Sequence, residues 1–287
     1  MRQSLKILLE LSKFKISAFS TLSTAIGYIL ASGSLSFALL VPAVGILLLA
    51  CGSATLNQYQ ERRFDAAMLR TQKRPIPSGR VKPWEALFIA LLLIFLGGTV
   101  LFFGTNLLAF LLGLLAVFWY NGIYTFLKTK TAFAVVPGAL IGSIPPAVGW
   151  VAAGGSLANP QLWVLAFFFF IWQVPHFWLL LLLFGEDYQR AGLPTLTAVF
   201  SRPQLRRITF VWIAATAMAC LLIPLFGLVR FSLVNFGLVV LALWLIWNSA
   251  KALIARAGKF SFGFAFREIN IYALVVLLLI SMDRLLR

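Results

Sequence analysis

Asn57-Gln-Tyr-Gln-Glu61-Arg-Arg-Phe-Asp65, followed by Arg70-Thr-Gln-Lys-Arg74-Pro-Ile-Pro-Ser-Gly79-Arg80, closes a long apolar run. Asn57, Glu61 and Asp65 are spaced by four. On a helix that spacing sets three oxygen-bearing side chains in one slowly drifting stripe. The chain has only 8 acidic residues, so two of them here, beside a dense set of cations, is a concentration. Hard oxygen ligands next to Arg and Lys suit a Mg²⁺-bound diphosphate. The same stretch also reads as a solvated helix end with ordinary ion pairs.

The run before it is one of many. The 287 residues are 61% hydrophobic and 11% charged, the composition of a polytopic membrane protein rather than a soluble globule. Runs long enough to cross a bilayer lie at 16–33, 36–57, 85–103, 106–127, 132–153, 161–184, 208–229, 232–250 and 268–283. The expected fold is therefore all-α, a single domain over 1–287 of about nine transmembrane helices. The basic N-terminus followed by an apolar run reads as a retained first helix, because more spans follow it.

The formal charge of +16 resembles a nucleic-acid signal until the cations are placed on this topology. Alternation of the spans puts 21 of the 24 Lys and Arg on one side, leaving Arg230, Arg284 and Arg287 on the other. The crowded side includes Arg256, Lys259 and Arg267. The positive-inside rule then predicts a cytoplasmic N-terminus, and no nucleic acid is needed to explain the charge. Cys51 and Cys220 fall inside spans without metal-ligand spacing and read as small buried residues.

The long polar connections, 58–84 and 185–207, share the cytoplasmic side. Each leaves an even-numbered span, carries carboxylates at once and turns at a proline, so a weak internal duplication is plausible, with the two motifs facing each other. In the second, Pro175-His176-Phe-Trp178 precedes Glu186-Asp187-Tyr188-Gln-Arg190. His176, the only histidine, lies in an apolar run, where a polar ring is costly unless bonded or facing a cavity. It reads either as satisfied by a neighbouring helix or as a substrate, haem or proton-handling group. On a continuous helix Asp187 shares its face, and Glu186 points elsewhere. Tyr124 and Lys128 form an i,i+4 pair that could meet a diphosphate oxygen, or act as a belt tyrosine with a snorkelling lysine. Charged clamps above apolar walls are what a lipid diphosphate requires. No phosphate-cradling or dinucleotide glycine motif supports nucleotide chemistry.

At these residues the chain resembles the UbiA-type intramembrane prenyltransferases. Asn57, Glu61 and Asp65 match their first motif, and Tyr124-x-x-x-Lys128 their second. Within that family the likeness is greatest to the branch that farnesylates protohaem IX. That likeness is carried by Arg70-Thr-x-x-Arg74-Pro-x-Pro-x-Gly79-Arg80, Pro145-Pro-x-x-Gly149-Trp150 and Pro175-His176-Phe-Trp178 with Glu186-Asp187-Tyr188 and Gly192-x-Pro194. The resemblance implies farnesyl diphosphate and haem b as substrates, Mg²⁺ as cofactor, and a bacterial inner membrane as location. It implies metal ligands Asn57, Glu61, Asp65 and Asp187. Asp65, Asp187, Lys128 and Tyr124 become the catalytic set, and Arg70, Lys73, Arg74, Lys130, His176 and Tyr188 the substrate contacts. Glu61 and Arg63 depart from the branch, which usually has acids of its own there, an Asp and a second carboxylate. Lys128-Thr-Lys130-Thr and Pro194-Thr-Leu-Thr depart as well. A quinone-ring precursor is the alternative acceptor, and a transporter or oxidase assembly factor the alternative of another class.

Overall fold

The protein is described by a computed structural model over residues 2–254 and 261–286. Arg256, Lys259 and Arg287 lie outside the described residues. Among the described residues nine helices are long and apolar enough to cross a membrane. An amphipathic helix, α1 (Arg2–Leu11), precedes them. The first two are α2 (Phe14–Ser32) and α3 (Phe37–Gln60), and a short α4 (Arg62–Ala67) follows. Then come α5 (Pro83–Gly104), α6 (Leu107–Leu127), α7 (Ala132–Ala152) and α8 (Pro160–Leu183). A second short helix, α9 (Gly185–Arg190), leads to α10 (Arg202–Leu225), α11 (Ser232–Lys251) and α12 (Phe262–Leu285). The protein is thus an all-helical, multi-pass membrane bundle.

Local chemistry starts the helices where the apolar runs begin. Asn106 accepts the Ala109 N–H at 2.9 Å to start α6, and Asn159 accepts the Gln161 N–H at 2.9 Å to start α8, as side-chain caps do for otherwise orphaned amides. Pro83 and Pro160 sit in the first turns of α5 and α8, where no N–H is missed. Two spans start earlier than hydropathy suggests. The seventh begins at Arg202 rather than 208, because Gln204 accepts the Ser201 N–H at 2.9 Å and Pro203 suits the first turn. Arg202, Arg206 and Arg207 are therefore helical rather than loop residues, on stems long enough to carry their charges outward. The ninth begins at Phe262 rather than 268, capped by Ser261, and takes in Arg267 and Glu268. Hydropathy misses both starts because charged residues within the first two turns depress it.

Helices in lipid gain little from burying apolar surface against one another, so close backbone contact decides which pair. The tightest contact joins α2 to α7. A Cβ on Gly149 would fall 1.8 Å from the Thr24 carbonyl oxygen, and one on Gly27 2.0 Å from that of Pro146. The Pro145-Pro146-x-x-Gly149 motif is therefore a packing device between these two helices. Phe168, Leu165 and Leu179 of α8 meet Ile269, Tyr272 and Ile280 of α12 in the main core. Outward, Phe88, Phe95 and Phe103 of α5 and Leu233, Phe236 and Trp247 of α11 are exposed, as side chains facing lipid are.

Two helix breaks shape the polar end. Glu61 (φ −90°, ψ 6°) separates α3 from α4, yet its N–H still reaches Asn57 O and Asp65 N–H reaches Glu61 O, both at 2.9 Å. The predicted stripe survives the bend. Phe184 (φ −117°, ψ 21°) separates α8 from α9, so His176 and Asp187 do not share one helix as the sequence reading supposed.

Gly149→Val should lower stability in detergent by about 1–3 kcal/mol or more, as forced overpacking does. Gly98→Ala, whose Cβ would meet only Phe110 at 3.5 Å, should be close to neutral. Equal melting temperatures for the two variants would contradict the packing role of Gly149.

Candidate active site

The site forms where the ends of α2, α3 and α6 meet the loop after α4. Asn57, Glu61 and Asp65 are 2%, 4% and 1% exposed. Oxygen donors so deeply buried need positive or donating partners, and each of the three has a cation of its own. Lys13 Nζ donates to Asn57 Oδ1 at 2.7 Å. Lys128 Nζ pairs with Glu61 Oε2 at 2.6 Å. Arg74 Nη1 reaches both oxygens of Asp65 at 2.7 Å. Asn57 Nδ2 in turn donates to Glu61 Oε1 at 2.8 Å and to Thr125 Oγ1 at 3.1 Å, which ties α3 to α6.

Supporting contacts explain why these cations arrive. Gln58 Nε2 donates to the Glu10 and Leu11 carbonyls at 3.0 and 2.8 Å, holding the end of α1. The chain then turns through Lys13 at φ +46°, the single positive φ outside glycine among the described residues. Such a turn is sterically unfavourable for a side-chain-bearing residue, and here it directs the ammonium to Asn57. Thr71 Oγ1 donates to the Asp65 carbonyl at 2.9 Å and shapes the turn that brings Arg74 back. Arg80 binds both oxygens of Glu10 at 2.8 Å and fastens the loop to α1. The Arg70-to-Arg80 motif is thus largely a device for aiming Arg74.

Charge coupling follows from the geometry. Burial would raise the Glu61 carboxyl, but Lys128 and Lys13 outweigh it and hold the group below its ordinary range. Burial would lower Lys128, yet Glu61 and the neighbouring Tyr188 and Tyr124 hold it above the usual lysine. Lys13 is lowered to about 7, by burial first and Arg74 next, with Glu61 opposing.

Asp187 enters from the facing loop. Its Oδ2 accepts the Arg70 N–H at 3.2 Å, and Arg190 stands 3.9 Å from Oδ1. The two loops that resemble each other in outline therefore do meet. Lys128 connects both motifs, since its Nζ also lies 5.7 Å from the Tyr188 ring centre. The side chains of Arg70, Lys73 and Lys130 are exposed, and Arg70 stacks on Phe184 at 4.4 Å rather than joining the clamp. Arg63 and Glu186 are exposed too, so it is Arg74 that supplies the fixed cation beside Asp65.

Tyr124 belongs to a seven-residue π-helical stretch, Phe118–Tyr124, of the kind that often re-aims side chains at functional sites. Its ring stacks between Tyr120 at 5.8 Å and Phe177 at 5.9 Å. Phe177 touches the His176 ring edge-on at 5.6 Å, and Trp172 and Phe266 lie 4.9 and 5.0 Å from it. An aromatic wall thus leads from Lys128 to His176. Inside the bend, Asn121 Nδ2 donates to Ser53 O and Gln60 Oε1. Sequence reasoning overlooked Lys13, Gln58, Thr71, Asn121 and Thr125. The polar residues within apolar runs were the available signal for Asn121 and Thr125. Nothing in the spacing marks Lys13.

No three Asp, Glu, His or Cys side chains converge into a metal cage among the described residues. The donor set nevertheless fits a hard divalent ion. Asn57, Glu61 and Asp65 offer buried oxygens already turned toward positive charge, and Mg²⁺ commonly takes one or two carboxylates and completes its shell with phosphate and water.

Lys128→Met should destabilise the protein by about 3 kcal/mol by stranding the Glu61 carboxylate. Adding Glu61→Gln should return most of that loss. A double variant no more stable than Lys128→Met would show that the pair is not coupled.

A model of the UbiA prenyltransferase family matches residues 20–267. The protoheme IX farnesyltransferase of Oleidesulfovibrio alaskensis is 34% identical over 283 residues, 96% of this chain and 95% of that protein. That of Geobacter sulfurreducens is 37% identical over 220 residues, 77% of this chain and 81% of that protein. Among solved structures, a digeranylgeranylglyceryl phosphate synthase shares the fold with a TM-score of 0.80 at 16% identity, over 99% of this chain and 100% of that one. A UbiA homologue from Archaeoglobus fulgidus bound to GPP and Mg²⁺ does so with a TM-score of 0.72 at 15% identity, over 98% and 100%. With the carboxylate stripe, its cations and the nine-helix bundle, these likenesses place the chain in the UbiA prenyltransferase family.

Proposed function

We propose that the protein transfers a farnesyl group from farnesyl diphosphate to a vinyl group of haem b, the step that yields haem O. The observation that carries this reading is the aromatic wall between a cation-rich oxygen cluster and a lone imidazole. It is supported by relatives named protoheme IX farnesyltransferase over most of the chain.

Asn57, Glu61 and Asp65 would hold Mg²⁺, with Asp187 holding a second ion from the facing loop. The metal would supply Lewis-acid neutralisation of charge on the diphosphate. Lys128, Arg74 and Lys13 stand where they can turn from the carboxylates to the diphosphate oxygens, and the Tyr124 hydroxyl, unpaired among the described residues, can donate to the same group. Fixed cations stabilise the negative charge that grows on the leaving oxygen as the allylic C–O bond breaks. The bond's electron pair departs with the diphosphate. The Tyr120–Tyr124–Phe177 stack would then wall the allylic cation off from water. The vinyl π electrons of the porphyrin would form the new C–C bond, and the cation this leaves on the carbon next to the ring would add water and release a proton to complete the step. His176 lies at the far end of the wall, where the porphyrin would sit. A quinone precursor offers no metal for the imidazole nitrogen to bind.

The site would open to the cytoplasmic face of the inner membrane, following the distribution of Lys and Arg. Ser78 is exposed on the motif loop. Ser78→Cys should react with an impermeant thiol reagent only in inverted vesicles, and labelling of intact cells would reverse the orientation.

The deciding assay incubates membranes with haem b, farnesyl diphosphate and Mg²⁺ and follows the gain in haem mass. Asp65→Ala should lower product formation by about 10²–10³-fold, the usual loss when a group stabilising transition-state charge is removed, while the protein still inserts. Near-normal turnover at saturating Mg²⁺ would take Asp65 out of the metal site.

A further inference from the structure

His176 lies about two turns before the end of α8, in an otherwise apolar stretch, and one hydrogen bond ties it to another helix. Its Nδ1 is 2.7 Å from Asn270 Oδ1 on α12. Which ring nitrogen carries the proton follows from the far side of Asn270. The Asn270 amide nitrogen donates to the Phe266 carbonyl, one turn back, at 2.5 Å. Turning the amide over would press Oδ1 against that carbonyl oxygen, so the orientation is fixed. Oδ1 can only accept. His176 Nδ1 must therefore carry the hydrogen, and in the neutral ring the lone pair is left on Nε2.

An interhelical clip would need only the Nδ1 bond. It leaves Nε2 unexplained. No described group donates to Nε2, and the ring is only partly buried, so that nitrogen is open at its side of the ring. The surrounding groups cannot satisfy it. Phe177 and Phe266 are hydrocarbon, and the Trp172 N–H is spent on the Ile269 carbonyl at 3.2 Å. A bare imidazole nitrogen, fixed in direction and framed by aromatic faces, suits a metal at the centre of a flat apolar macrocycle.

We infer that Asn270 is a positioning residue that fixes the His176 tautomer, so that Nε2 serves as an axial ligand to the iron of the haem acceptor. This rests on the proposed haem reading and deepens it. A metal-bound histidine held by a hydrogen bond from its other nitrogen is both oriented and made more basic by that bond. Asn270 thereby controls how firmly the acceptor is held, although it touches neither substrate's reacting atoms.

The test is a titration of the purified full-length protein in detergent with haem b. It is followed by visible absorption and by resonance Raman of the ferrous form, where the iron–histidine stretch reports imidazole basicity. Wild type should show a histidine-ligated spectrum and His176→Ala should lose it. Asn270→Leu removes the acceptor and frees the tautomer, and should weaken histidine-ligated binding by roughly ten-fold or more. Asn270→Asp keeps an acceptor and adds charge. It should retain ligation and raise the iron–histidine frequency, a change that a purely structural role would not produce. An Asn270→Leu spectrum and affinity equal to wild type would overturn the inference. Should that variant fail to fold, an unshifted frequency in Asn270→Asp would overturn it equally. A wild type that prenylates haem without any histidine-ligated spectrum would sink this inference and leave the acceptor reading intact. A wild type that prenylates another ring but not haem would remove the reading itself.

Discussion

Charge compensation at the edge of an apolar bundle is the constraint on which the polar end depends. Glu61 and Asp65 are almost wholly buried, and isolated carboxylates there would be prohibitively costly. Lys13, Lys128 and Arg74 remove that cost, and each is delivered by a different segment. The end of α1, the end of α6 and the loop after α4 are thereby forced into one place. Much that looks like chemistry in this sequence serves that delivery: Thr71 bends the loop, Arg80 anchors it, and Gln58 holds the end of α1. The site is an electrostatic knot that also closes the fold on one face.

Below the knot the constraint changes from charge to contact. The α2–α7 pair is set by glycine against carbonyl, an approach that any side chain forbids. The aromatic wall depends on the π-helical stretch of α6, which places Tyr120 and Tyr124 in one stack with Phe177 of α8. α6, whose end delivers Lys128 above, thus shares one continuous aromatic surface with α8 beneath. That continuity connects the diphosphate end of the proposed reaction to the acceptor end.

These layers were unequally legible in the sequence. Helix class and span number follow from hydropathy, because a bilayer demands long apolar runs. The Asn57–Glu61–Asp65 stripe follows from helical period and persists because the amide ladder runs through the bend at Glu61. Lys128 was legible from its spacing to Tyr124. Lys13 was not, since it arrives through an unfavourable backbone turn that no spacing announces. The starts of α10 and α12 were hidden by charged residues in their first two turns. Arg70, Lys73 and Lys130 looked like clamp residues because the motif is dense in cations, yet direction cannot be read from density, and their side chains are exposed. The partnership of His176 with Asn270 joins positions 94 residues apart and has no local signature at all.

The charge count at the knot also bears on the order of binding in the proposed reaction. Lys128 and Arg74 balance the two carboxylates, and Lys13, lowered to about 7, adds a positive charge only when it is protonated. A diphosphate ester with one magnesium ion carries about one net negative charge, and each partner alone carries a larger charge of one sign. Metal alone would have to displace the protein's own cations from the oxygens it needs. Diphosphate alone would draw those cations away and strand the carboxylates. In the proposed reaction the two together would neutralise the site: diphosphate would take the lysines and the arginine, and the released oxygens would take the metal. The resident cations therefore do more than keep the empty fold stable. They would make the two halves of the proposed substrate complex depend on each other, so that the clamp would assemble fully only on a metal-bound diphosphate.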